Sequence, residues 1–565
     1  MSPHRPRRSF ITLLLVAVIA GLLGLALFWQ VRDTSTEGSS ARVPRPSGDR
    51  IFLSNDPVER ACALGPKLLA RLWRGFYRKR GGDLILVPHA PNFSGGFVVP
   101  GHTGPWDYLQ KVPLVLYGPG HVAASGEVRR PASITDVFPT VGALTDVDLP
   151  QRTGTVLREA LADRPNGVPK LIVTVVWDGA GNNVLARWPD RWPNLKRFAQ
   201  QGTSFTNATV GSSPSITPAT HGSLGTGAFP RDHGVTAINM RRDNGDLITA
   251  MVGKDPRDLE LTTYGDEVDR ALGNSSKVGM LAWKSWHMTM LGHGTQTPGG
   301  DADELALIGG GGGIAGNLQW YSMPRFLNGD LGLRTYARRV DREDGKADGE
   351  WMGHEVLAMH DNPAWVRYQG HILREMLRRG DYGADQVPDL FLTNFKVTDI
   401  VGHQYTMSSD EMGAVLQEQD AELGRLAAYL DRNVGDYVIV VTADHGHTPP
   451  WSETGGWPVV IKEVAADIDA HFDVPPGRSL IAMTSPGAFY FDHRTLADLG
   501  VSPDEIAELI NGYTIRANWP DPDLPEAFVE RGEENVFSAA FLRTQMPEIM
   551  RCGFGAPRPP AGFPA

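Results

Sequence analysis

Three uninterrupted apolar runs in this chain each lead to a carboxylate. Leu171–Trp177 stops at Asp178, Tyr437–Thr442 stops just before Asp444-His445, and Asp389–Thr393 leads to Asp399. A run without polar alternation predicts a strand buried on both faces, as in a sheet covered by helices on each side. Ligands of open α/β sheets bind beyond the carboxyl ends of the strands, so acidic residues at three such ends predict a site and not a packing accident. Helical periodicity covers about 56–80, with Leu68, Leu69, Leu72 and Phe76 on one stripe, and Met412–Leu430, which joins two of the strands. Leu84–Val87 and Val112–Tyr117 are further strand-like runs, and Ser133–Leu144 is a short helix after a loop. The stretch 150–168 is polar. The segment 295–355, with its glycine run Gly309–Gly313 and little periodicity, predicts an inserted loop or cap over the site.

The N-terminus has a different pattern. Phe10 to Trp29 is uncharged over about 20 residues, enough to span a bilayer as a helix. Arg5, Arg7 and Arg8 precede it, which places the rest of the chain outside the cytoplasm. Gln30-Val31-Arg32-Asp33 offers no A-x-A-like cleavage site, which favours an uncleaved anchor over a signal peptide. Arg7-Arg8-Ser9-Phe10-Ile11 also resembles a twin-arginine export signal. The expected organisation is a cytoplasmic tail at 1–9, a single-pass anchor in the cell membrane at 10–31, a flexible linker at 32–55 and an extracytoplasmic domain at 56–565. A formal charge of -11 argues against a nucleic-acid duplex as partner. With only two cysteines, Cys62 and Cys552, a Cys₄ zinc site is excluded, while a disulfide is allowed outside the cytoplasm.

The candidate chemistry lies in three peptides. In Ser213-Pro214-Ser215-Ile216-Thr217-Pro218, Thr217 has the look of a helix N-cap followed by proline at the first helical position. A hydroxyl there faces backbone N–H groups that favour a bound phosphate, although taken alone the peptide is an ordinary cap. Asp399-Ile400-Val401-Gly402-His403 and Thr442-Ala443-Asp444-His445-Gly446 each place a carboxylate beside an imidazole, donors suited to zinc. In order, Asp178, Thr217, Asp399, His403, Asp444 and His445 resemble the metal and nucleophile positions of the alkaline phosphatase superfamily. Thr217, His221, Thr226, Gly227, Pro230, His233 and Gly234 match the spacing of its type I phosphodiesterase/nucleotide pyrophosphatase branch.

The resemblance implies an alkaline phosphatase-like α/β sandwich with a mostly parallel central sheet flanked by helices. It implies two divalent metal ions, zinc being the expected metal, about 4 Å apart. Asp178, Thr217, Asp444 and His445 would hold the ion that activates the nucleophile; Asp399, His403 and one further histidine would hold the other. Thr217 would be the catalytic nucleophile, passing through a phospho-threonine. The family's last metal-binding histidine does not follow Asp444-His445. A similar segment instead stands near the front, Gly101-His102-Thr103-Gly104-Pro105-Trp106-Asp107-Tyr108, followed by Lys111-Val112-Pro113-Leu114. The resemblance therefore implies a circular permutation, with 56–165 equivalent to the family's C-terminal part and 168–550 to its N-terminal and central part. His102 would complete the second site; His447, His471 and His493 are the alternatives. Cys62 and Cys552 would flank the cut, which implies a disulfide between them; two unrelated thiols are the alternative.

Four residues bear on a small phosphorylated substrate. Thr220 replaces a family asparagine, and Asn239 stands one residue late for the phosphate-binding asparagine. Lys284 and Trp286 stand where monoesterase-type relatives carry K-x-R. One cation in place of two lowers the preference for a dianion, and Trp286 could stack on a flat group or simply pack in the core. The expectation is a phosphoesterase cleaving phosphodiester or nucleotide pyrophosphate bonds. The alternatives are an alkaline phosphatase-like monoesterase, a phosphotransferase on lipid or wall polymer, and a metal-binding pseudoenzyme. A sulfatase is disfavoured, because the chain has no C-x-P-x-R motif.

Overall fold

A computed structural model describes residues 54–163 and 167–553. The apolar run at 10–31 lies outside the described residues. Among the described residues no helix is long and apolar enough to cross a membrane.

Among the described residues thirteen strands form the two larger sheets: β1 (Leu84–Pro88), β2 (Leu114–Tyr117), β3 (Gly126–Ser133), β4 (Leu171–Trp177), β5 (Thr203–Thr209), β6 (Val278–Ala282), β7 (Glu304–Ile308), β8 (Ile314–Ala315), β9 (Asp389–Phe395), β10 (Tyr437–Thr442), β11 (Ile481–Ser485), β12 (Ala488–Phe491) and β13 (Phe537–Leu542). The main sheet runs β8-β7-β6-β9-β4-β10-β2-β5-β3. From β7 to β10 every pairing is parallel. β2 then enters antiparallel to both neighbours, so the sheet is mixed. An all-apolar run tells that a strand is buried on both faces but not which way it runs, and β2 is such a case.

The three runs ending at carboxylates are adjacent strands, β9-β4-β10, buried at every position. Leu171 is level with both Asp389 and Tyr437, and Trp177 with Phe395. That register makes all three strands end at one edge of the sheet. Side chains alternate between two cores: Leu171, Val173, Val175 and Trp177 face one, Ile172 and Val176 the other. Each fully buried side chain of this size contributes about 1.5–3 kcal/mol by leaving water, which fixes the strand ends and the residues just beyond them.

A second, antiparallel sheet, β11-β12-β1-β13, encloses a core of its own. The front of the chain thus feeds both sheets, β1 into the small one and β2 and β3 into the large one. A disulfide joins Cys62 to Cys552, at a Cα–Cα distance of 5.7 Å, linking the helices Pro57–Cys62 and Met546–Gly553.

Three local expectations change. The helix over 56–80 is two helices, Pro57–Cys62 and Pro66–Gly75, because Gly65 at φ 81 breaks the run before Pro66. The segment 295–355 is not all insertion: β7 and β8 belong to the main sheet, and Leu333–Asp341 is a helix. Thr217 is the first residue of the helix Thr217–Thr226, with extended Ile216 as its N-cap, so its side chain does not cap the helix.

Candidate metal centre

Each element delivers its residues to the common edge for a local reason. Asp178 leaves β4 directly. Asp399 lies in the first turn of the helix Val397–Tyr405, and His403, four residues on, shares its face. Asp444 and His445 follow β10. His102 comes from the loop ahead of the helix Asp107–Gln110.

The donor atoms fall into two sets that share His445: His102, Asp399 and His445 in one, with His403 beside Asp399, and Asp178, Asp444 and His445 in the other. His102 Nε2 and His403 Nε2 each lie 3.4 Å from Asp399 Oδ1. His445 Nε2 lies 3.3 Å from Asp444 Oδ2 and 3.6 Å from Asp178 Oδ1. Ligands around a tetrahedral ion with bonds of about 2.0–2.1 Å stand roughly 3.3–3.4 Å apart, so both sets have the spacing of a zinc-type site. Asp399 Oδ1, Asp444 Oδ2 and His445 Nε2 are buried and have no hydrogen-bond partner. Buried lone pairs converging without a donor are costly, and a cation is what relieves them.

The tautomers agree. His403 Nδ1 donates to Pro100 O at 2.7 Å and His445 Nδ1 to Gly446 O at 3.1 Å, which leaves each Nε2 lone pair facing a carboxylate. Burial holds His102 and His445 below the ordinary histidine pKa, hence neutral and able to ligate. A third grouping, Asp178, His221 and His287, does not work this way. His287 Nδ1 accepts the N–H groups of Trp283 and Lys284, so its Nε2 carries the proton and faces Asp178 Oδ2 at 3.3 Å. His287 orients Asp178 and offers no lone pair.

The sequence reading missed Lys396. Its ammonium is 2.6 Å from Asp399 Oδ2, 3.1 Å from Asp178 Oδ1 and 3.5 Å from Thr217 Oγ1. Burial opposes its charge, but Asp178, Asp399 and Asp444 outweigh that and hold its pKa above the usual lysine value. The same ammonium, against the opposing effect of burial, keeps Asp399 well below the carboxylate range. Asp444, buried and facing Asp178, is pushed up instead. Asn394 was also missed; its amide donates to Asp178 Oδ2 at 3.0 Å. A lysine closing a buried strand one helical turn before a carboxylate was the available signal.

Of the alternative histidines, His447 is at the centre, 3.8 Å from Asp399 Oδ1, with neither ring nitrogen hydrogen-bonded. A Cβ on Gly179, at φ 72, or on Gly402 would overlap its ring, a physical reason for glycine in Asp399-Ile400-Val401-Gly402-His403. His471 packs on Phe472, and His493 faces Asp83 in the small-sheet region.

The four substrate candidates divide. Lys284 is exposed, and its ammonium feels both Lys396 and Asp399, with Trp286 beside it at 5.9 Å from ammonium to ring centroid. Thr220 is buried, and its hydroxyl donates to Ile216 O and Thr217 O at 3.1 Å, so it is occupied inside its own helix. Asn239 is held in a short strand, donating to Thr484 O at 3.0 Å. No contact of Asn239 with the centre is found among the described residues.

Known proteins resemble this architecture. Alkaline phosphatase PafA of Elizabethkingia meningoseptica is 22% identical over 410 residues, covering 62% of this chain and 74% of that protein. Alkaline phosphatase PhoV of Synechococcus elongatus is 23% identical over 331 residues, covering 50% of this chain and 59% of that protein. The crystal structure of wild-type alkaline phosphatase PafA superposes with a TM-score of 0.50 at 19% identity, over 66% of this chain and 84% of that chain. The fold is therefore of that kind, and the class is that of metal-dependent hydrolases acting on phosphate esters. Residues 172–515 match the model of the type I phosphodiesterase / nucleotide pyrophosphatase family, and the chain belongs to it.

Proposed function

We propose that the centre cleaves phosphodiester or nucleotide pyrophosphate bonds in small substrates, with Thr217 as the nucleophile and two zinc ions as cofactors. The observation that carries this reading is the pair of donor sets, each at tetrahedral spacing and joined by Lys396, whose ammonium faces Thr217 Oγ1. Asp399, His403 and His102 would hold one ion; Asp178, Asp444 and His445, with Thr217, the other. Bound ions would acidify the threonine hydroxyl and offset charge on the departing oxygen. Thr217 would attack phosphorus as the bond to the departing alcohol or phosphate breaks, the proton lost to solvent by the hydroxyl being matched by the one the departing oxygen takes up. Water then cleaves the phospho-threonine and restores the hydroxyl. Lys396 offsets charge on the threonine oxygen as the proton departs. The positive end of the dipole of the helix Thr217–Thr226 favours the phosphoryl oxygens. Lys284 and Trp286 stand at the exposed side, one to neutralise a phosphate oxygen and one to stack on a flat group.

A monoesterase is the second reading, favoured by Lys284 and by the names of the relatives. Hydrolysis of bis(4-nitrophenyl) phosphate against 4-nitrophenyl phosphate by the full chain with zinc decides between them. A faster diester supports the first reading, a faster monoester the second. Activity on neither, with transfer of phosphate to an added alcohol, points to a phosphotransferase.

We further read 56–165 as the family's C-terminal part moved to the front, because the family match begins only at residue 172 and His102 joins the centre from that front segment. The apolar run at 10–31 would anchor the domain on the outer side of the cell membrane. The disulfide fits that placement, since such bonds persist in oxidising compartments.

A further inference from the structure

Away from the centre, at the outer part of the parallel run, Asp269, Asp301 and Asp303 offer carboxylate oxygens within 4.8 Å of one another. Asp269 lies in the last turn of the helix Tyr264–Ala271, where the helix dipole disfavours a negative charge. Asp301 and Asp303 stand two apart on the stretch leading into β7, a spacing that puts both on one side of an extended chain.

Two of these groups are buried with no cationic partner: Asp269 accepts one bond, from the Ser276 backbone N–H, and Asp303 faces only other carboxylates. Asp269 is 3% exposed and Asp303 6%. Asp269 Oδ1 is fully enclosed and has no hydrogen-bond partner. The charged neighbours acting on Asp303 are all carboxylates: Asp266, Asp269 and Asp301. Asp266 is already satisfied by Thr263 N–H at 2.8 Å, His293 N–H at 2.8 Å and His293 Nδ1 at 2.9 Å, so it is not a free ligand. Burial, followed by Asp301, pushes Asp269 up to about 7. A buried carboxylate without a counter-charge must either carry a proton or hold a cation.

We propose that Asp269, Asp301 and Asp303 form a peripheral calcium site, separate from the phosphoester centre. Ca–O bonds run about 2.3–2.6 Å, so oxygens up to about 4.8 Å apart can reach one ion from opposite sides. The donors are oxygen only, which suits a hard cation and not zinc. The ion would tie the end of the helix Tyr264–Ala271 to the approach of β7. It would thereby brace the intervening 272–303 segment, which carries Lys284, Trp286 and His287. The site acts on stability and does not touch the reacting atoms.

The test uses the full chain with zinc saturated and calcium removed. Calcium is titrated by calorimetry, and the thermal midpoint is read with and without it. One calcium bound per chain and a rise in midpoint of about 3 °C are expected. Asp303→Asn and Asp301→Asn should each abolish both while leaving the zinc content unchanged. Asp301 is exposed, so its variant folds even if the buried substitution does not. No calcium binding by the wild type overturns the proposal. So does binding that survives in Asp301→Asn.

Discussion

Two clusters of carboxylates, one wholly buried and one with Asp301 at the surface, lie in one molecule and are built differently. At the strand ends, Asp178, Asp399 and Asp444 are interleaved with imidazoles and one ammonium. At the outer part of the sheet, Asp269, Asp301 and Asp303 have no imidazole or ammonium among them. Neutral imidazole lone pairs at tetrahedral spacing select a borderline metal that can activate a hydroxyl; bare oxygens select a hard ion that can only brace. A third buried carboxylate shows the protein's other solution. Asp83, 6% exposed, accepts both ends of the Arg241 guanidinium at 3.0 and 2.7 Å and one bond from Arg543 at 3.0 Å, and so needs no ion. The contrast teaches that burial alone does not mark a site. What marks it is burial that the protein's own cations leave unbalanced.

The strongest test of the comparison is Thr217→Ala. It should lower kcat about 10⁴-fold or more while both catalytic ions remain, as read by metal analysis alongside loss of phosphoprotein trapping. His102→Ala and His403→Ala should each lose at least about 10²-fold and one ion per chain, by the same amount within error. Wild-type activity in His102→Ala would remove the histidine from the centre and the permuted reading with it. Lys396→Met should cost about 10²-fold in kcat with metal content retained, since it removes one charge facing the nucleophile oxygen. If ions were lost instead, the lysine would be holding the ligands and not serving the reaction.

Asp83→Asn gives the smallest effect and works through pH. Burial would raise the Asp83 pKa, but the hydrogen bonds from Arg241 and from Phe491 N–H, with the nearby charges, hold it below the ordinary value. A depressed folded pKa contributes stability above the unfolded pKa and loses it as pH falls. The variant's deficit in thermal midpoint should therefore be full at pH 7 and shrink below about pH 4. A deficit that is constant with pH would mean lost packing and not lost charge.

Much of the centre was legible because buried parallel strands leave a plain trace: β4 and β10 are unbroken apolar runs, and a carboxylate follows each. Their convergence required the register, which no single run contains. Lys396 and His287 escaped because a lysine at a strand end and a histidine in a short helical turn have no special look until Asp178 and Asp399 stand beside them. Family spacing does not reveal that the Thr220 hydroxyl bonds its own helix or that the Asn239 amide is held by Thr484. Of the small sheet only β1 was legible, as the strand-like run Leu84–Val87, and its partners were not. Its strands pair across the whole chain, β1 with β12 and β13, and nothing local announces a partner some 400 residues away.

The bond between Cys62 and Cys552 spans 490 residues of sequence and closes nearly the whole folded domain into one covalent ring. Tension applied between the two ends of the chain would pass through two sulfur atoms and bypass both sheets. A single cut in an exposed loop would open the ring without releasing either piece. If the apolar run at the front does hold the domain on a membrane, the mechanical load would stop at the first helix, and the strand ends that carry the chemistry would feel none of it.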